Sequence, residues 1–228
     1  MPIDNSDPVI PNVDFVNNTN QRTLCVLIID ASGRMFGAPI DALNQGLIQI
    51  QTDLQADTVA RERVRILVIR VGDRDRVDIV HDWADAVDFQ APHIEANGTA
   101  PLGNALNLAL IKIEEVRQEM KQTGIRHTRP LIYMITVGKP TDVDEWADAA
   151  ARCKTAIQSK KVQLIAIGTS DDVSFEALKE TGGTMLKLNG LNFKELFQFI
   201  GAGVSSASKA APGQNPQVTI PKNVTIAT

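Results

Sequence analysis

Cysteine is nearly missing from this chain, with only Cys25 and Cys153 in 228 residues. A disulfide framework or a zinc cluster needs more ligands at closer spacing, so both are expected to be buried free thiols in a reducing compartment. No stretch approaches the ~18 uninterrupted apolar residues of a membrane span. Residues 1–22 lack a basic start followed by an apolar run, which argues against a secretory leader. Lys and Arg form no block, and 23 of them against 27 Asp and Glu leave a net charge of −4, so no electrostatic footprint for nucleic acid is evident. The expected setting is the cytoplasm, with neither membrane nor nucleic acid as partner.

What is present suits a globular domain. Apolar residues make up 43% and charged residues 22%, enough to bury a core. Short β-branched runs alternate with segments of helical period, the pattern of an α/β domain with a mostly parallel sheet. Thr23–Asp30 (TLCVLIID) is almost continuously apolar, as a central strand covered on both faces should be. Strands at 64–71 and 76–80 are joined tightly through Gly72-Asp73-Arg74-Asp75 and must be antiparallel. A long connection is then expected over 81–98. Further strands are read at 131–136, 162–167 and 185–188. Helices are read from Pro39 and over 101–122, 142–159, 172–180 and 192–204. The domain is placed at residues 21–207, between an arm at 1–20 and a second arm at 208–228 that is flexible or docked on a partner. Within the second arm, Val218–Pro221 and Val224–Ile226 alternate enough to add a strand to a neighbour's sheet or to fold back on this one.

In an open parallel sheet, ligands bind beyond the carboxyl ends of the strands. Three loops there are unusual: Asp30-Ala31-Ser32-Gly33-Arg34, Asn97-Gly98-Thr99-Ala100-Pro101-Leu102-Gly103 and Thr136-Val137-Gly138-Lys139-Pro140-Thr141-Asp142. Together they resemble the von Willebrand factor type A family. Its metal-ion-dependent adhesion site uses Asp-X-Ser-X-Ser after the first strand, a Thr in a Gly-Thr loop and an Asp after the fourth strand. The resemblance spans residues 22–208 and is nearest the bacterial tellurite-resistance-associated, TerY-like group. Gly37-X-Pro39-Ile40, Gly98-Thr99-X-X-Leu102-Gly103, Gly138-X-Pro140-Thr141-Asp142 and the segment Phe197–Ser208 carry it. It implies a Rossmann-like three-layer α/β/α domain, with a mostly parallel sheet and one antiparallel edge strand.

Asp30, Ser32 and Thr99 match the metal motif, but Arg34 replaces its second serine and Val137 its distal aspartate. Two neutral hydroxyls and one carboxylate beside a permanent cation are a poor seat for Mg²⁺. The site is thus a degenerate one, expected to hold no cofactor. Arg34 is expected to fold into the volume of the missing ion and donate to Asp30, and to Ser32 or Thr99 as well. The alternative is that Arg34 projects into water. Lys139 adds positive charge at the rim, so a partner's carboxylate could bind Arg34 or Lys139 directly.

Other chemistries lack their parts. Gly138-Lys139-Pro140-Thr141 is no phosphate loop, and Asp30-X-Ser32-X-Arg34 lacks the glycines of a hydrolase elbow. His81, His93 and His127 have no acid or cysteine at catalytic or metal spacing. The chain is therefore read as a non-enzymatic interaction module binding through Asp30, Ser32, Arg34, Thr99 and Lys139. The resemblance implies a cytoplasmic bacterial stress-response or defence complex with an associated phosphatase or kinase. The competing reading is a Mg²⁺- or Mn²⁺-dependent receptor for a partner carboxylate, with Asp142 or the partner replacing the lost ligands.

Overall fold

The computed structural model describes residues 18–211 and 220–227. Its strands are β1 (Thr23–Ala31), β2 (Val64–Gly72), β3 (Arg76–Asp85), β4 (Leu131–Thr136), β5 (Gln163–Gly168), β6 (Thr184–Leu188) and β7 (Val224–Ile226). They form one sheet in the order β3-β2-β1-β4-β5-β6-β7. Its helices are α1 (Ala38–Ala56), α2 (Ala60–Arg63), α3 (Leu102–Thr123), α4 (Val143–Gln158), α5 (Phe175–Lys179) and α6 (Phe193–Lys209), with a short 3₁₀ turn at Gly33–Met35.

Side chains alternate across a strand, so the fully buried β1 feeds two cores. Cys25, Leu27 and Ile29 join Leu43, Leu47 and Ile50 of α1 and Phe193, Phe197 and Ile200 of α6. Leu24, Val26 and Ile28 join Leu106, Ala109 and Ile113 of α3 and Trp146 and Cys153 of α4 on the opposite face. This is the expected three-layer α/β/α architecture. Both cysteines are buried and free, and desolvation pushes the Cys153 thiol up to about 12 and Cys25 higher still.

Strands β1, β2, β4, β5 and β6 run parallel, with β3 antiparallel to β2 at one edge. The sheet has a second antiparallel edge where only one was expected, because Val224–Ile226 folds back onto β6 through Leu186↔Ile226 and Leu188↔Val224. Val224 is anchored in the core at 4% exposure. β3 also runs five residues past the expected end at Val80. Register shifts opposite Ile66–Ile69 break its alternation, and regular pairing resumes at Ile66↔Ala84 and Arg65↔Asp85.

Candidate functional site

The carboxyl end of β1 delivers Asp30 to the top of the sheet, where the side chain is 1% exposed. Buried carboxylates must be paired. Here the backbone and a neighbouring strand do it. Asp30 Oδ1 accepts from the Ser32 amide at 2.9 Å, and Oδ2 accepts from the Thr136 hydroxyl at 2.7 Å and the Val137 amide at 3.1 Å. Val137 contributes its N–H to the site while its side chain packs in the core.

Arg34 does not donate to Asp30, and that expectation is corrected. Its Nη1 lies 3.3 Å from Asp172 Oδ2 in a pair whose side chains are 57% and 74% exposed. Two causes act together. The buried Met35 anchors the 3₁₀ turn and leaves its neighbour Arg34 at the rim. Asp30 already has three donors, so its buried carboxylate does not need the guanidinium as a hydrogen-bond partner. The guanidinium still leans over the loop after β4, since a Cβ on Gly138 would sit 3.4 Å from Nη1.

Thr99 is held from the β2–β3 turn. Its amide and hydroxyl both donate to Asp75 Oδ1, at 3.0 and 2.6 Å. Asp73, Arg74 and Asp75 all occupy the left-handed region, with φ of 36°, 63° and 64°. Three such residues in a row are strained and need outside support. It comes from the loop before α3: the Asp73 amide donates to the Asn97 carbonyl at 2.9 Å. Gly98, at φ 70°, lies so close that a Cβ there would meet the Arg74 amide nitrogen at 3.0 Å.

Asp142 is spent elsewhere. Its oxygens accept from the Gly103 amide at 3.0 Å and the Asn104 amide at 2.7 Å, capping the start of α3. Lys139 is exposed and forms no ion pair among the described residues.

The structure therefore brings Ser32, Arg34, Thr99 and Lys139 together around a cavity of about 190 Å³, also lined by Gly98, Ala100, Gly138 and Thr141. Asp30 lies beneath as the organiser of the loops. The lining offers two cations and three hydroxyls, and no carboxylate. A divalent ion does not suit this donor set, because the one matching aspartate already accepts three hydrogen bonds from the protein and a fixed cation stands over the opening. Among the described residues no three His, Cys, Asp or Glu side chains gather into a metal-holding group. Thr136, Asp75 and Asp172 belong to the site although the sequence did not single them out as site residues. Thr136 opens the loop Thr136–Asp142, one of the three unusual loops at the carboxyl ends of the strands. Nothing local marked Asp75 or Asp172, whose partners are 24 and 138 residues away.

Solved structures share this architecture. The chain is similar to proximal thread matrix protein 1 from the mussel byssus, with TM-score 0.58 and 11% identity over 92% of this chain and 50% of that one. A structure of that protein with a zinc-occupied adhesion-site motif also matches, with TM-score 0.52 and 13% identity over 84% of this chain and 47% of that one. The ArnB paralog VWA2 from Sulfolobus acidocaldarius matches with TM-score 0.51 and 20% identity, over 80% of this chain and 44% of that one. The N-terminal domain of TFIIH p34 matches with TM-score 0.55 and 15% identity, over 82% of this chain and all of that one. The fold is that of a von Willebrand factor A domain. The chain spans half or less of the mussel and archaeal proteins. No protein-family model and no curated protein matches it. Among the described residues no helix is long and apolar enough to cross a membrane.

Proposed function

We propose that this chain is a non-enzymatic protein-interaction module that receives a partner's Asp or Glu side chain at the top of its sheet without a metal ion. One observation carries the reading. The cavity between the loops after β1, β3 and β4 is lined by Arg34, Lys139 and the hydroxyl-bearing Ser32, Thr99 and Thr141, with no acid among its lining residues. Such a cavity favours an anion. The incoming carboxylate takes charge-assisted hydrogen bonds from Arg34 and Lys139, and a hydrogen bond from the Ser32 hydroxyl, which has no partner among the described residues. Asp172 competes for Arg34, but so exposed a pair is worth only ~0–1 kcal/mol and yields readily.

In this reading Arg34 supplies the positive charge that a metal ion supplies in the adhesion-site pattern. It does so by reaching over Gly138 rather than by pairing with Asp30. Placement in a bacterial cytoplasmic stress-response or defence complex, beside a phosphatase or kinase, rests on the TerY-like motifs alone.

Affinity capture from lysate tests the proposal, with the full chain as bait, EDTA or Mg²⁺ in the buffer, and mass spectrometry as readout. A protein retained in EDTA by the wild type and lost by R34A/K139A is the expected result. Retention only with Mg²⁺, or retention unchanged in the double variant, overturns it and returns the metal-dependent receptor.

A further inference from the structure

The end of the sheet opposite the candidate site carries a second charged surface. Residues 120–130 and 151–162 contain Lys121, Arg126 and Arg129, and Arg152, Lys154, Lys160 and Lys161, with no Asp or Glu in either stretch. In a chain of net charge −4 this concentration is local. The fold makes one face of the two stretches. They lead into the adjacent parallel strands β4 and β5, paired through Leu131↔Gln163, and the Gln163 amide donates to the Pro130 carbonyl at 2.9 Å.

Most of these cations are available. Lys121, Arg126, Lys154, Lys160 and Lys161 are exposed and form no ion pair among the described residues. Arg152 donates to the neutral Asn107 Oδ1 at 2.7 Å and has a loose ion pair with Asp148 at 3.8 Å, so its charge is only weakly compensated. Within the second stretch lies a cavity of about 380 Å³ lined by Arg152, Lys161, Thr155 and Ser159 together with Ala151 and Ala156. A smaller one of about 130 Å³ shares Arg152 and Lys161 and reaches Arg117, which is paired with Glu114 of the same lining at 2.9 Å.

We infer that this lower face docks an acidic polypeptide segment, with one carboxylate side chain seated between Arg152 and Lys161. Charge complementarity selects an anion, and the details select its class. The two stretches contain no Phe, Tyr or Trp on which bases could stack. None of the large exposed apolar side chains lies within them, so no wedge is offered to a lipid surface. The cavities admit side chains rather than a duplex. Two carboxylate-reading ends on one rigid sheet make the module a bridge between two partners, and this end does not depend on the reading of the other.

The test uses a fluorescein-labelled heptaglutamate peptide and the full-length R34A/K139A chain, in which the upper cavity is disabled. Anisotropy should show binding that weakens at least tenfold between ~50 and ~200 mM salt. K160E/K161E in the same background should lower affinity a further tenfold or more, and R152A should lower it severalfold. Circular dichroism melting verifies that the variants fold, and the exposed lysines leave the core untouched. Absence of peptide binding, indifference to K160E/K161E and R152A, or tighter binding of a duplex oligonucleotide or phosphatidylserine vesicles overturns the inference.

Discussion

The Thr136 hydroxyl donates to Asp30 Oδ2 at 2.7 Å, so the aspartate ending the central strand is satisfied by the strand beside it and not by Arg34. Stability and ligand contact are thereby separated. Thr136→Val should destabilise the fold by about 1–3 kcal/mol, since it removes a buried partner of a charged group. Arg34→Ala should cost under ~1 kcal/mol, the scale of an exposed ion pair. Urea unfolding of both variants checks the contrast, and the opposite order would restore the inward arginine.

Rebuilding the metal motif tests the frame of the site directly. Val137 is 6% exposed and packs in the core, so Val137→Asp places a second carboxylate beside Asp30. R34S/V137D should lose about 2–4 kcal/mol in EDTA. Millimolar Mg²⁺ should raise its melting temperature while leaving the wild type unchanged, because only a folded site gains from the ion.

Loop positions at the site also depend on close helix packing. A Cβ on Gly103 would collide with the backbone amide of Trp146, where α4 crosses the start of α3. Gly103→Ala should force those helices apart, cost about 1–3 kcal/mol and disturb the Asp142 cap next to the cavity. Thermal melting together with binding to the upper cavity reads both effects.

Acid sensitivity should concentrate at Asp57. Burial pushes its carboxyl up, but hydrogen bonds from Lys209, Ser205 and the Ala60 and Val59 amides outweigh burial and hold it well below the usual aspartate range. A depressed folded value means the stabilisation is complete above the unfolded pKa, near 4, and drains away as pH falls further. Asp57→Asn should be less stable than wild type at neutral pH. The gap should close as pH is lowered from ~4 toward ~2, measured by unfolding at each pH.

The fold was largely legible because buried parallel strands write long apolar runs, as in Thr23–Asp30, and helices packed on a sheet write regular stripes, as in Leu102–Met120. β3 beyond Val80 was not, because a bulge disturbs the alternation that marks a strand. The candidate site was legible as a set of loops and not as a set of bonds. Ser32, Arg34, Thr99 and Lys139 do surround one cavity. Yet the partner of Arg34 comes from the loop after β5 and that of Thr99 from the β2–β3 turn, which are tertiary choices no local spacing encodes. The stretches at 120–130 and 151–162 are inconspicuous in the sequence because neither is a run of like charge. Only the β4–β5 pairing sets them side by side.

The seventh strand gives the sheet an order of completion. A ribosome delivers β6 and the whole of α6 before Val224–Ile226 emerges, so the backbone donors and acceptors along Leu186–Leu188 wait uncovered for seconds at ~5–20 residues per second. A nascent chain stalled or trimmed within that interval presents a naked edge to every other nascent chain nearby.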